Sequence, residues 1–376
     1  MKKIFTQPIL LIGLISLVSS QEIPNEFIEF QVQKLLYDAG QNWETNTTFS
    51  PPRFQSVFKA ESENSNKFDS LNIRTRAGIY TKNRAIAFYG FGHFLYKKHF
   101  YGYLYPRIVN DPEAFERYSG IPRDIARGGF NSGETDLSGI GFQNDWLLFQ
   151  IGRGRQSWGA GNEIQLALSE NSPAYDYGLL GLDFGKLRVK YIHGFLESRE
   201  NGINRYITAR GMEWTNRKSL VIGLSETVIY SGEDRPLDIA YMNPISTHLE
   251  VELNDRLNIL GGSSANAVWQ ISVDWLINQK IRISANLLFD EFVLDQVEID
   301  NGKEHGKASS ARIAYTPIDN EKSIMTLFSS YISIGTPTFR HGNGMNNFVQ
   351  RNKPLGWQYG SDGLELSVGA TYFNQT

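Results

Sequence analysis

Residues 269–289 read Trp-Gln-Ile-Ser-Val-Asp-Trp-Leu-Ile-Asn-Gln-Lys-Ile-Arg-Ile-Ser-Ala-Asn-Leu-Leu-Phe. In an extended chain Trp269, Ile271, Val273, Trp275 and Ile277 fall on one side, and Gln270, Ser272, Asp274 and Asn278 lie against them. After Asn278-Gln279-Lys280 the alternation resumes, with Ile281, Ile283, Ala285, Leu287 and Phe289 opposing Arg282, Ser284, Asn286 and Asp290. A period of two marks a strand whose faces meet unlike surroundings, and the interruption predicts a tight turn. Each run has about ten residues, the length that crosses a bilayer at the tilt of a barrel strand.

The same period starts at Leu71, where Leu71, Ile73, Thr75, Ala77 and Ile79 oppose Asn72, Arg74, Arg76 and Gly78. It returns near the end of the chain, where Leu364, Leu366, Val368, Ala370 and Tyr372 oppose Glu365, Ser367, Gly369 and Thr371. Roughly a dozen such runs can be traced. Turn-like text falls at 215–219, 301–303 and 319–322, and longer irregular stretches at 109–137, 159–182, 231–264 and 336–362. Short turns at one end and long loops at the other describe an outer-membrane barrel. A soluble sandwich or propeller, the alternative, calls for shorter strands or a fixed repeat, and the chain has no internal repeat.

Ahead of the strands, Lys2 and Lys3, the apolar stretch Ile9 to Val18 and the small residues Val18-Ser19-Ser20 form a secretory signal, with maturation expected at Gln21. Position 21 is not Cys, which argues against a lipoprotein anchor. Residues 25–38 carry a helical stripe of Ile28, Val32, Leu35 and Leu36, ended by Gly40, and 41–67 reads as a polar connector containing Pro51 and Pro52. The expected organisation is a signal peptide at 1–20, a periplasmic helical segment and connector at 21–67, and a barrel at 68–376. The fold class is therefore all-β: a transmembrane antiparallel β-barrel with a short helical segment at its amino end.

Composition agrees. With 41% hydrophobic and 13% aromatic residues among 376 the chain is too apolar for disorder, and its 35 Gly, 18 Tyr, 23 Phe and 7 Trp suit many turns and interfacial aromatic belts. Without cysteine there is no disulfide, thiolate metal site or cysteine nucleophile, and the six histidines are scattered without ligand spacing. The net charge of −3 argues against nucleic acid as a partner. Acidic pairs such as Asp290/Glu291, Asp295/Glu298 and Asp234/Asp238 read as loop charges, and no Gly-x-Ser-x-Gly elbow occurs. No catalysis, cofactor or metal is expected.

The faces opposite the apolar ones hold Arg74, Arg76, Lys186, Arg188, Lys190, Asp274, Arg282, Asp290, Arg312 and Glu365. In a barrel these point into the lumen, and the arginines are expected to pair across it with Asp274, Asp290 and Glu365, filling it rather than leaving an open pore. The segment Gly152-Arg153-Gly154-Arg155-Gln156-Ser157-Trp158-Gly159-Ala160-Gly161 lacks the Gly-Lys-Ser/Thr ending of a phosphate loop. Its Arg and Trp suit an anion and a sugar ring; the structural reading is a strand end and tight loop with Trp158 as an interface anchor.

This segment, followed by Leu166 through Ser169 to Asn171-Ser172-Pro173, resembles the signature of the Wzi-type capsule assembly outer-membrane proteins, a family that includes RemB-like members of gliding bacteria. Phe184, His193-Gly194, Gly223-Leu224-Ser225-Glu226, Asn243-Pro244, the stretch from Pro354 to Asp362 and Ser50-Pro51-Pro52-Arg53 extend the likeness over most of the chain. Ala160 stands where the family commonly has Pro. The resemblance implies a barrel of about eighteen strands with a small helical part on the periplasmic side. It also implies a role in holding surface polysaccharide, with Arg153, Arg155, Trp158, Asn162, Glu226 and Asn243 as candidate glycan contacts and the protein a monomer in outer-membrane lipid. A solute channel and a structural part of gliding or adhesion machinery are the rival readings. The family is usually longer at its carboxyl end, and a barrel must close its last strand on its first. A truncated reading or a reduced barrel is therefore expected, with an imperfect junction between Leu364–Phe373 and the strand near Leu71.

Overall fold

Single residues show how completely the two faces of each strand differ. Gln270, Ser272 and Asp274 are at most 3% exposed, whereas their neighbours Ile271 and Trp275 are 42% and 48% exposed. The computed structural model describes residues 24, 26–41, 43–49, 71–97, 99–115, 117–198, 202–254, 256–257, 265–291, 300, 305–320, 322–342 and 344–374. The signal segment, Ser50 to Arg53 and the turn at 301–303 lie outside them.

The strands are β1 (Asn72–Lys82), β2 (Ala85–Tyr96), β3 (Phe100–Val109), β4 (Ser132–Gln143), β5 (Leu147–Gly154), β6 (Tyr175–Asp183) and β7 (Leu187–Phe195). They continue with β8 (Ile203–Thr215), β9 (Leu220–Glu233), β10 (Ala265–Asn278), β11 (Ile281–Glu291), β12 (Gly306–Asp319), β13 (Ser323–Ile334), the two-residue β14 (Val349–Gln350) and β15 (Lys353–Pro354), and β16 (Gly363–Asn374). The helices are α1 (Ile28–Asp38), α2 (Ile239–Met242) and α3 (His248–Leu253). β1 to β13 and β16 form one sheet of 14 strands in sequence order, each strand antiparallel to the next, and β14 and β15 make a separate small hairpin. This is an outer-membrane-type β-barrel sheet, with fourteen strands where the family resemblance implies about eighteen.

The ladder of β16 runs from Gly363 to Asn374 against β13, and that of β1 runs along β2; no ladder joins β1 to β16 among the described residues. The expected imperfect junction is present as an opening between these two strands.

Six short connections lie at one end, among them 216–219, 279–280 and 320–322. The long connections 110–131, 155–174, 234–264 and 335–362 lie at the other. Tyr96, Phe100, Trp146, Phe184, Trp214, Trp275, Tyr315 and Tyr372 are exposed near the short-turn end, an aromatic girdle where lipid meets water. Among the described residues no helix is long and apolar enough to cross a membrane. Two boundaries differ clearly from the sequence reading: 132–137 opens strand β4, and 175–182 is strand β6, not loop. Its Gly178 and Gly181 interrupt the apolar alternation that identifies the other strands.

The larger difference concerns α1. Of the apolar stripe Leu35 is buried, but Ile28 is 68% exposed and Val32 and Leu36 are half-buried, while Glu29, Gln33, Lys34 and Asp38 are buried beside Phe30. The helix lies against the inner face of the sheet, packing on β12, β13 and β16. That inner face is polar, so a polar helix face finds partners there. Glu29 meets Arg76 at 2.8 Å and Asp38 meets Arg312 at 2.7 Å.

The expected pairing of lumen charges is correspondingly revised. Arg282 does pair with Asp274, its Nε 2.8 Å from Oδ1. Arg76 and Arg312, however, are neutralised by the helix rather than by Asp290 or Glu365. Asp290 accepts from the Phe339 N–H, and Glu365 accepts from Trp357 Nε1 at 2.7 Å. Arg188 and Lys190 are buried as expected, but Lys186 is exposed in a short turn.

We expect the mature protein to fractionate with the outer membrane and to migrate differently on gels before and after heating, since a hydrogen-bonded barrel sheet resists detergent until heated. Recovery as a soluble periplasmic protein contradicts this fold in use.

Candidate functional site

The connection between β5 and β6 does not extend outward; it turns into the barrel and meets α1 and residues 43–49 there. Gly161 adopts φ +83°, and a side chain on it would run into Ser284 and Ile164, so glycine permits both the turn and the approach to the wall. Beyond the turn, Asn286 brackets the loop: its Oδ1 accepts from the Ala160 N–H at 2.7 Å and its Nδ2 donates to the Ala160 carbonyl at 3.0 Å. Ser310 Oγ donates to the Ile164 carbonyl at 2.7 Å. Trp158, Ile164, Leu166 and Leu168 then form an apolar centre with Phe49, whose ring lies 4.9 Å from that of Trp158.

Residues 43–49 thread beside this loop under dense polar restraint. Thr48 donates from N and Oγ1 to Glu213 Oε2 at 2.8 and 2.7 Å, and its carbonyl accepts from the Gly159 N–H at 2.7 Å. Asn46 donates to Asp274 at 2.9 Å and accepts from Arg282 at 3.1 Å. Tyr37 of α1 donates to the same Asp274 at 2.9 Å, and the Arg282 guanidinium lies 3.4 Å from the Tyr37 ring centroid. Lys34 reaches Glu163 at 2.9 Å and Glu170 at 2.5 Å. Although burial alone would raise the Glu163 carboxyl, the Lys34 ammonium holds it below the usual carboxylate range.

The connection between β13 and β16 caps this plug from the long-loop end. Trp357 N–H donates to the Leu166 carbonyl at 3.2 Å and Ser169 N–H to the Leu355 carbonyl at 2.8 Å. Gly356 is required by the approach: a Cβ there would stand 1.8 Å from the Leu166 oxygen. Arg205, fully buried, gathers the cap by donating to the carbonyls of Met345, Asn347 and Val349 at 2.7, 2.8 and 3.1 Å while pairing with Glu197 at 2.9 Å. The sequence reading missed Arg205; it shares a strand face with the apolar Ile207, so the local pattern does not set it apart as an inward charge.

The residues singled out from sequence divide into three places. Arg155, Trp158 and Asn162 are buried in the plug. Arg155 donates to the Ser172 carbonyl at 2.6 Å and to Ser119 Oγ at 3.2 Å, and burial lowers its pKa against the pull of Asp136. Trp158 is 1% exposed, so it is no interface anchor, and Asn162 donates to the Lys34 carbonyl at 2.8 Å. Glu226 and Asn243 meet around Arg210 at the base of the 234–264 connection. Glu226 is buried against Arg210 at 3.2 Å and His248 at 2.7 Å, and the exposed Asn243 offers its carbonyl to Arg210 at 3.0 Å. Arg153 stands apart, paired with Asp176 at 2.8 Å and Glu134 at 3.4 Å. Among the described residues no group of His, Asp and Glu has the arrangement to hold a metal ion.

No protein-family model matches the chain, and none of the curated proteins matches it. Among solved structures it is similar to Wzi, an outer membrane protein involved in group 1 capsule assembly in Escherichia coli and described as a carbohydrate-binding β-barrel. That match has a TM-score of 0.54 and 11% identity, covering 81% of this chain and 66% of Wzi, so the chain spans just under two thirds of that protein's length. OmpT, an outer membrane protein of Vibrio cholerae, gives a TM-score of 0.35 at 7% identity over 81% of this chain and 95% of its own. An anion-selective porin from Comamonas acidovorans gives 0.34 at 11% identity over 81% and 90%. At such identities the likeness to Wzi is one of fold.

Because Asp274 and Arg282 are enclosed together, Arg282→Met is expected to cost about 3–5 kcal/mol by stranding a buried carboxylate, read as a lowered urea midpoint. Asp274→Asn combined with Arg282→Met should recover much of that loss. A double variant no better than the single one would show that the pair does not hold the plug.

Proposed function

We propose that this protein is a non-catalytic outer-membrane protein of the Wzi type that assembles or anchors surface polysaccharide. The observation that carries the reading is the filled inner face of the barrel. Helix α1, residues 43–49 and the 155–174 connection occupy it through buried ion pairs and hydrogen bonds, so transport is not what the interior is built for. What remains for a ligand is the long-loop end, where 110–131, 234–264 and 335–362 emerge. Similarity to a barrel described as carbohydrate-binding supports the same reading.

The mechanism is multivalent. A polymer presents the same unit many times, so weak contacts from several loops sum to firm retention. In this role Arg153 and Asn243 act from positions near the loop ends. Arg155, Trp158, Asn162 and Glu226 act as struts beneath the loops, and their loss weakens retention by loosening the surface above them. The non-catalytic reading is supported by how the carboxylates of this end are engaged: Glu170 by Lys34, Asp238 by Arg235 and Glu134 by Arg351.

In planar bilayers the intact protein is expected to pass little or no current, and a variant lacking residues 26–49 to pass markedly more. The purified protein is also expected to retain capsular or other surface polysaccharide of its host. A large steady current from the intact protein favours a solute channel, and failure to retain host polysaccharide removes the anchoring reading.

A further inference from the structure

The connection 335–362 encloses a cavity of about 370 Å³ at the long-loop end. Small-molecule sites run from roughly 300 to 1,000 Å³, so this one has room for one or two sugar rings and not for a length of polymer. Its lining is mixed: Asn347, Ser361 and Pro354 share it with Phe339, Phe348 and Trp357, three rings that are themselves packed into the core. The indole N–H of Trp357 is given to Glu365 and the residue is 6% exposed, so the open ring face at this rim is that of Tyr359. Tyr359, 67% exposed, stands edge-on to Trp357 at 5.1 Å and extends the aromatic surface toward solvent.

Arg340 is the one charged residue that lines the cavity. Its Nε donates to Ser361 Oγ at 2.8 Å, which fixes the guanidinium at the rim and leaves its two terminal nitrogens uncommitted among the described residues. Two other arginines of this end are taken up by carboxylates, Arg351 by Glu134 and Arg256 by Glu250, while Arg123 and Arg127 lie exposed on the separate 110–131 connection. The frame is preorganised, since Arg205 holds three carbonyls of the same connection and Leu355 N–H closes it onto the Phe348 carbonyl at 3.0 Å. An exposed tyrosine ring suits the C–H face of a pyranose, and a fixed guanidinium suits a planar carboxylate in two-point contact.

We infer that this cavity and its rim form a subsite for one hexuronate unit of an acidic polysaccharide, with Arg340 receiving the carboxylate and Tyr359 the ring. The inference rests on the glycan-binding reading above and adds the ligand's charge and the place where it sits.

The test titrates the full chain in detergent with a glucuronate-containing tetrasaccharide and with its carboxyl-reduced counterpart, following heat. The acidic form is expected to bind about tenfold or more tightly than the reduced form, as for one charge-assisted pair. Arg340→Ala should erase that preference, Arg340→Lys should keep part of it, and Tyr359→Ala should weaken both ligands alike. Unaltered heat-dependent gel migration checks that the exposed substitutions leave the barrel folded. A preference that survives Arg340→Ala overturns the cavity as the subsite while leaving glycan binding intact. Equal binding of both forms by the unmodified protein overturns the acidic specificity. Failure to bind either form, with host polysaccharide still retained, overturns the hexuronate assignment alone, and failure to bind any glycan overturns both readings.

Discussion

Asp274 is a fully enclosed carboxylate, and four side chains from three parts of the chain converge on it: Arg282 and Ser284 from β11, Tyr37 from α1 and Asn46 from the segment after it. A buried charge is tolerated only when it is paired and its lone pairs are satisfied. Here satisfaction requires residues from outside the sheet, so the wall and the plug are each incomplete alone. The same logic recurs at Glu213, which takes Thr48 from the plug and Arg188 from the neighbouring strand, and at Arg312, which takes Asp38. The interior is thus held by distributed polar complementarity together with an apolar centre at Trp158, Leu166 and Leu168 beneath the cap and an aromatic cluster of Phe27 with Phe91 and Tyr105.

This arrangement inverts the usual division between core and surface. Ile73, Leu224, Ile313 and Val368 face outward, where lipid is the matching solvent, and the sheet interior collects Gln, Asn, Ser, Arg and Asp. Among the described residues the backbone of the wall is paired by its ladders except along the facing edges of β1 and β16, and several inward side chains of the wall find partners in the plug. The function proposed follows from that economy of space: an interior so committed leaves recognition to the loops.

The strands were legible because their information is local. In 269–289 the alternation of Trp and Ile with Ser, Asp and Arg needs no knowledge of the partner strand, and turn text at 279–280 and 320–322 marks the short end directly. β6 escaped because Gly178 and Gly181 remove side chains from the pattern. The orientation of α1 escaped for a different reason. A hydrophobic stripe predicts the docked face only when the docking surface is apolar, and this one is lined by Arg76 and Arg312. Likewise, Arg155 and Trp158 carry a chemistry that fits a sugar equally well in a loop or in a core. Their burial is decided by Asn286, Ser310 and Gly356, more than a hundred residues away, and no spacing within the motif reports it.

The polar docking face of α1 also bears on the order in which the molecule is made. Tyr37 and Asp274 are 237 residues apart in sequence, and Asp38 and Arg312 are 274 apart. Contacts of such separation close late, because the chain entropy of a long loop must be overcome before they form. The helix therefore leaves the translocation machinery among the first segments and finds its seat among the last, after β10 to β12 exist. During that interval Glu29, Gln33, Lys34 and Asp38 keep the face that carries Phe30 and Leu35 hydrated, whereas a wholly apolar docking face would be a greater aggregation hazard for as long as it waited.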